Sequence, residues 1–208
     1  MSQVKGARKL TDNPFLNLYA LDAVHRDGSS SLYYVASRMK ETSDLKAIAH
    51  HNRPNGVILY GVYGEGRDKI VLVRQYRYPV GDYVYEFPAG LVEFGEDLVE
   101  AGIREMQEET GLLLTPKNAG CASRPFFTTV GMTDESCGTV YGYCTGTPTN
   151  RNQEDSEDIE VILADREECK RILKEENVAI MCAYMLMHFI NTPGDPLAFL
   201  DALEDCHV

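Results

Sequence analysis

Residues 97–110, DLVEAGIREMQEET, limit the possible folds more than any other segment, because they read as a single helix set among strands. Asp97 suits the N-cap, since its carboxylate can accept from the first free amides. Gly111 suits the stop, since glycine tolerates the left-handed backbone that ends a helix. At 100° per residue Glu105 and Glu109 lie within about 40° of each other, with Glu108 one step round on the same side. Val99, Ile103, Met106 and Thr110 fall on a different face at spacings of four, three and four, and are expected to anchor the helix in a core. Like charges at i, i+4 cost an isolated helix roughly 0.2–0.5 kcal/mol per pair, and no adequate local cation is evident in the sequence. A solvated acidic face is the commonest use of such a helix. A hard divalent cation is the other: Mg²⁺ prefers carboxylate oxygens, keeps several waters and shares phosphate oxygens. Clustered carboxylates without metal hold their protons more tightly, so metal affinity should rise with pH.

Strand patterns fill the chain before this helix. Runs at 16–23 and 31–37, about Asp27-Gly28, read as a hairpin, and 40–52 reads as irregular. Runs at 56–63 and 69–75 read as a second hairpin across residues 64–68. The Gly64-Glu65-Gly66 in that turn reads as a plain turn, because no helix follows to cradle a phosphate. A short strand at 83–87 stops at Pro88. After the helix come strand candidates at 126–129, 139–143 and 161–163, then helices near 165–175 and 178–191. The last, apolar nearly all round with Met181, Met185 and Met187, is expected to pack in the core. Strands early, helices late and one helix embedded among strands make an α+β pattern.

Composition narrows the function. The 208 residues carry a net charge of −12, which argues against phosphate-backbone binding of nucleic acid, a task for clustered Lys and Arg. A phosphate-bearing substrate would then need a positive bridge to an acidic protein, and a divalent metal supplies one. The longest apolar stretch, 178–190, contains His188 and falls short of the roughly 20 residues a membrane span takes. With no apolar run behind the basic N-terminal residues, a cytoplasmic protein is expected. Six cysteines without a CxxC pair read as reduced and mostly structural, and five histidines show no zinc spacing.

The full spacing around the helix decides between the two uses of its acidic face. Gly90, five residues, Glu96, seven residues, Arg104-Glu105, Met106, one free position, Glu108-Glu109, one free position, Gly111 and Leu112 fill nine specified positions. This pattern resembles the box of the Nudix hydrolase family. The resemblance implies an α/β/α sandwich around a mixed β-sheet. It implies Glu105 and Glu109 as ligands of Mg²⁺ or Mn²⁺ and Glu108 as a further ligand or proton acceptor. It also implies that Arg104 orients the glutamates together with Glu96, and that Gly90 and Gly111 serve backbone geometry.

The preceding segment, VLVRQYRYPVGDYVYEFPAG, resembles the ADP-ribose and ADP-sugar pyrophosphatase subgroup. That resemblance implies the Ala89 carbonyl as another metal ligand, with Arg74, Arg77 and Glu86 near the substrate, where arginine's planar fork suits phosphate. A surface ion pair is the other reading of Arg77. The loop FFTTVGMTDES is similar to the subgroup's catalytic loop, so Glu135 is expected to orient or deprotonate the water. Glu157 and Glu160 compete for that role. Val130 stands where the subgroup has proline, and the chain lacks Trp, so an adenine clamp would use Tyr or Phe.

By the same resemblance, residues 1–50 form a small antiparallel β extension that makes a homodimer, and residues 51–208 form the hydrolase domain. The implied reaction is metal-assisted hydrolysis of a nucleoside diphosphate sugar, ADP-ribose giving AMP and ribose 5-phosphate. The rival substrates are ADP-glucose and GDP-mannose. A non-catalytic module that senses ADP-ribose or controls transcription is the rival from another class, and it predicts lost box glutamates or an appended DNA-binding segment.

Overall fold

The computed structural model describes residues 1–151, 153 and 158–203. In chain order these hold β1 (Gln3–Lys9), β2 (Asn17–Val24), β3 (Ser30–Ser37), α1 (Lys46–Ala49), β4 (Gly56–Tyr63), β5 (Lys69–Arg77), β6 (Asp82–Glu86), β7 (Ala89–Leu91) and α2 (Leu98–Thr110). There follow β8 (Leu113–Pro116), β9 (Phe126–Phe127), β10 (Ser136–Thr145), β11 (Ile159–Ala164), α3 (Arg166–Glu175) and α4 (Ile180–Asn191). They divide into two compact units, Met1–Asn55 with Pro125–Cys137, and Gly56–Arg124 with Gly138–Val208. The expected division at residue 50 did not include the 125–137 loop in the N-terminal part.

In the first unit β1, β2 and β3 form an antiparallel sheet, with β2 in the middle. The 16–23 and 31–37 runs correspond to β2 and β3. Strand β1 was not expected, because QVKGARK offers one β-branched residue among charges and glycine. Tyr19, Leu21, Val35 and Leu45 form the buried side, with Ala47 and Ile48 of α1 packed on it. Leu45 and α1 therefore give part of the "irregular" 40–52 segment a structural role. The 128–135 loop docks on β3, where Ala36 N donates to the Met132 carbonyl at 2.9 Å and the Tyr33 hydroxyl to the Gly131 carbonyl at 2.9 Å.

The second unit is a sheet between two helical layers. Strand β4 carries Val57 and Leu59 into one apolar cluster, and Tyr60 and Val62 into another. Strand β5 repeats the alternation, with Val71 in the first cluster and Ile70 and Leu72 in the second. Side chains alternate between faces along a strand, so both faces are buried and both strands read as nearly continuous apolar runs. Helix α2 covers the first face through Ala101 and Met106, and α3 and α4 cover the other through Cys169, Ile172, Cys182, Leu186 and Phe189. Each large apolar side chain fully buried this way contributes about 1.5–3 kcal/mol.

The sheet order is β11-β5-β4-β10-β8, with β6 added to β5 and β7 to β4. Strands β4 and β5 pair only at Val62↔Ile70 and Tyr63↔Lys69, and beyond that they part. Strand β6 takes the free edge of β5 from Val73 to Arg77, and β7 takes β4 from Gly56 to Ile58. The 82–91 segment thus crosses the sheet and delivers Ala89 and Gly90 beside α2. The Gly64 turn is a plain turn, closed by Arg67 N donating to the Gly64 carbonyl at 3.1 Å.

Helix α2 begins and ends as expected: the Asp97 carboxylate accepts from Val99 N at 2.8 Å, and Gly111 takes φ 72°. Its buried face matches expectation only at Met106 and Thr110. Val99 and Ile103 are exposed at 40% and 38%, whereas Ala101, Gly102, Met106, Glu109 and Thr110 are buried. Small residues set this rotation. A Cβ on Gly102 would stand 2.8 Å from Val140 and 3.0 Å from Leu59, so the helix seats closest to the sheet there. The consequence is that Glu109 turns inward. On α4, likewise, Met181 and Met187 are exposed while Met185 packs against the core.

Candidate active site

Arg104 organises the acidic face of α2. Its Nε donates to Glu96 Oε1 at 3.0 Å and its Nη2 to Glu96 Oε2 at 3.1 Å. Nη1 donates to Glu105 at 2.8 Å and Glu108 at 2.9 Å, and Nη2 also reaches the Leu91 carbonyl at 3.1 Å. Five N–H donors are all a guanidinium has, and its rigid fork matches carboxylate geometry. The local cation for this face is therefore Arg104 itself, which sits between Glu105 and Glu108 and relieves their repulsion.

Glu96 also accepts from the Glu93 amide at 2.9 Å. The hydrogen bond from Arg104, helped by that amide, holds its carboxyl below the usual carboxylate range. A lowered folded-state value stabilises the fold at pH values above the ordinary glutamate range, and the gain disappears as pH falls through the lowered value. Wild type is thus expected to melt above Glu96→Gln at pH 7, with the difference in Tm closing on acidification below the glutamate range. A gap that stays constant with pH would contradict the pairing.

Behind Arg104 the Glu105 and Glu109 carboxylates press against the β7 backbone. A Cβ on Gly90 would lie 1.9 Å from Glu105 Cδ, so the Glu105 carboxylate fills the space that only glycine leaves open. Glu109, 4% exposed, accepts from the Ala89 amide at 3.2 Å. Its own carbonyl accepts from Gln153 at 2.7 Å. Among the described residues no group of three or more His, Cys, Asp or Glu side chains is placed to hold a metal ion. Two carboxylates against one stretch of backbone offer hard oxygen donors. That suits Mg²⁺, which completes its shell with water and phosphate oxygens.

Arg77 and Glu86 come together across β5 and β6: Nε and Nη2 of Arg77 both donate to Glu86 Oε2, Nε at 3.0 Å. By strand alternation both lie on the α2 face of the sheet. Arg74 does not join them. It has the parity of Ile70 and Leu72, stacks 3.9 Å from the Tyr83 ring on the α3–α4 face, and pairs with Glu160 at 3.6 Å. Glu160 is thus tied to Arg74 on β11, and Glu157 lies outside the described residues. In the first unit, Glu135 accepts from Thr128 Oγ1 at 2.9 Å and pairs with Arg38 at 3.5 Å.

The NUDIX domain model matches residues 52–181, more than half of the chain. The chain belongs to the Nudix family. A Caenorhabditis elegans relative is 38% identical over 114 residues, 52% of this chain and 50% of its own length. ADP-sugar pyrophosphatase of Mus musculus is 52% identical over 42 residues, 20% of this chain and 19% of that protein. The chain thus spans about half the length, or less, of these curated relatives. A crystal structure described as an ADP compounds hydrolase superposes with TM-score 0.58 at 17% identity, covering 84% of this chain and 83% of that one, a likeness of fold.

In Nudix terms the box folds as loop, helix and loop around Arg104, with Glu96, Glu105 and Glu108 on its guanidinium and Glu109 against Ala89. The spacing did not reveal the Leu91 carbonyl, Gln153, Thr128 or Arg38, because each comes from another element or from backbone, where no side-chain pattern marks it. No helix among the described residues is long and apolar enough to cross a membrane.

Proposed function

We propose that this Nudix chain is a Mg²⁺-dependent pyrophosphohydrolase of nucleoside diphosphate sugars, Mn²⁺ substituting, with ADP-ribose as substrate and AMP and ribose 5-phosphate as products. The observation that carries the reading is the inward turn of Glu109 against the Ala89 amide, with the Glu105 carboxylate filling the space beside Gly90. The relative named ADP-sugar pyrophosphatase supports the substrate class.

Glu105, Glu109 and the Ala89 carbonyl would hold the cation, which when bound neutralises the bridging oxygens and makes a water more acidic. Arg104 keeps Glu105 and Glu108 in fixed rotamers, so their oxygens need no reorganisation during the reaction. Glu108, half exposed, or Glu135 takes the proton from the attacking water as it adds to one phosphorus. Arg77 exchanges its Glu86 partner for a substrate phosphate oxygen. Arg74, on the far face, is the weaker of the two candidate phosphate ligands. The same reading takes the protein as a cytoplasmic homodimer joined through its N-terminal sheet, supported by the exposed Leu32, Tyr33 and Tyr34 on β3.

A panel of ADP-ribose, ADP-glucose, GDP-mannose and nucleoside triphosphates, with Mg²⁺ or Mn²⁺ and a phosphatase-coupled phosphate readout, tests this reading. ADP-ribose is expected to give the highest kcat/KM. Turnover of no member of the panel would favour a binding module that senses the nucleotide.

A further inference from the structure

Lys46, on the short helix α1, is 9% exposed, an unusual place for an ammonium. Its Nζ donates to Asn55 Oδ1 at 2.8 Å and, through a short bond, to Ser136 Oγ, and it lies 5.5 Å from the Phe127 ring centroid. Ser136 is fully buried and is gripped from every side. Its hydroxyl donates to Asn52 Oδ1 at 2.7 Å, its amide donates to Asn55 Oδ1 at 3.1 Å, and its carbonyl accepts from the Asn55 amide at 2.8 Å. The backbone amide of Lys46 reaches Asp134 at 3.4 Å. Residues on both sides of Glu135 are thereby tied to Lys46. Burial lowers the affinity of this ammonium for its proton, a cost the fold carries although Asn52 and Asn55 already satisfy Ser136 without it.

We infer that Lys46 is a positioning residue for catalysis, fixing Ser136 and Asp134 so that the Glu135 carboxylate between them holds one orientation. The inference rests on the proposed role of Glu135. The rest of that orientation comes from Thr128 and Arg38, which hold the two carboxylate oxygens. Without Lys46 the loop keeps its asparagine bonds, so the unit still folds, but the segment carrying Glu135 gains freedom. Misplacement by about 1 Å costs on the order of 10²-fold, so partial release is expected to cost about 10-fold.

The test is a double-mutant cycle with ADP-ribose and Mg²⁺. Lys46→Met and Ser136→Ala are each expected to lower kcat by about 10-fold with KM nearly unchanged, and to add almost nothing in a Glu135→Gln background. An undiminished loss in the Glu135→Gln background, or wild-type kcat in both single variants, overturns the inference. If Lys46→Met does not fold, Ser136→Ala alone and with Glu135→Gln reads the same coupling. Wild-type turnover in Glu135→Gln alongside an inactive Glu105→Gln overturns the role of Glu135 and this inference together, while sparing the metal-site reading.

Discussion

Glu109→Gln is expected to fold like wild type and to turn over ADP-ribose on the order of 10²–10³-fold more slowly, the scale on which a preorganised electrostatic group acts. Glutamine is nearly isosteric, and its amide oxygen can still accept from the Ala89 amide that reaches Glu109 at 3.2 Å. What it removes is a negative oxygen donor at a site 4% exposed. A hard cation binds the carboxylate charge that the variant lacks, so the Tm gain on adding Mg²⁺ should shrink. Unfolding of the variant would assign Glu109 to the fold, and near-wild-type turnover would refute its role as a ligand.

The second large effect belongs to a residue with no functional side chain. Gly90→Ala places a methyl group 1.9 Å from Glu105 Cδ, well inside contact distance, so the carboxylate or strand β7 must move. Moving Glu105 breaks its 2.8 Å bond from Arg104 and releases the guanidinium that also orients Glu108. The expected result is a loss of turnover of about 10²-fold, with overpacking costing about 1–3 kcal/mol of stability in denaturant melts. A variant that loses the stability but keeps wild-type kcat would show that Glu105 tolerates displacement.

Much of this was legible in the residues. The Asp97 cap, the Gly111 stop and the strands expected at 56–63 and 69–75 carry local signals that tertiary packing did not override. The rotation of α2 was not legible, because the apolar stripe of Val99 and Ile103 outweighs Ala101 and Gly102 in any hydrophobic pattern. Close approach to Leu59 and Val140 nonetheless decides which side is buried. Strand alternation could have separated Arg74 from Arg77, but only once the face of β5 that meets α2 was known. The same applies to β7 and β8: runs of three and four residues exist through pairing with β4 and β10, not through their own propensity. The carboxylates themselves were the easy part, since a repelling cluster on one helix face needs an explanation that spacing can supply.

Product analysis distinguishes cleavage of the pyrophosphate from cleavage elsewhere in ADP-ribose. ADP-ribose incubated with the full chain and Mg²⁺, then separated by ion-exchange chromatography, should yield AMP and ribose 5-phosphate in equal amounts, with no products when the metal is chelated. ADP with free ribose, or products that form equally well in chelator, would contradict metal-assisted cleavage of the pyrophosphate by the α2 glutamates.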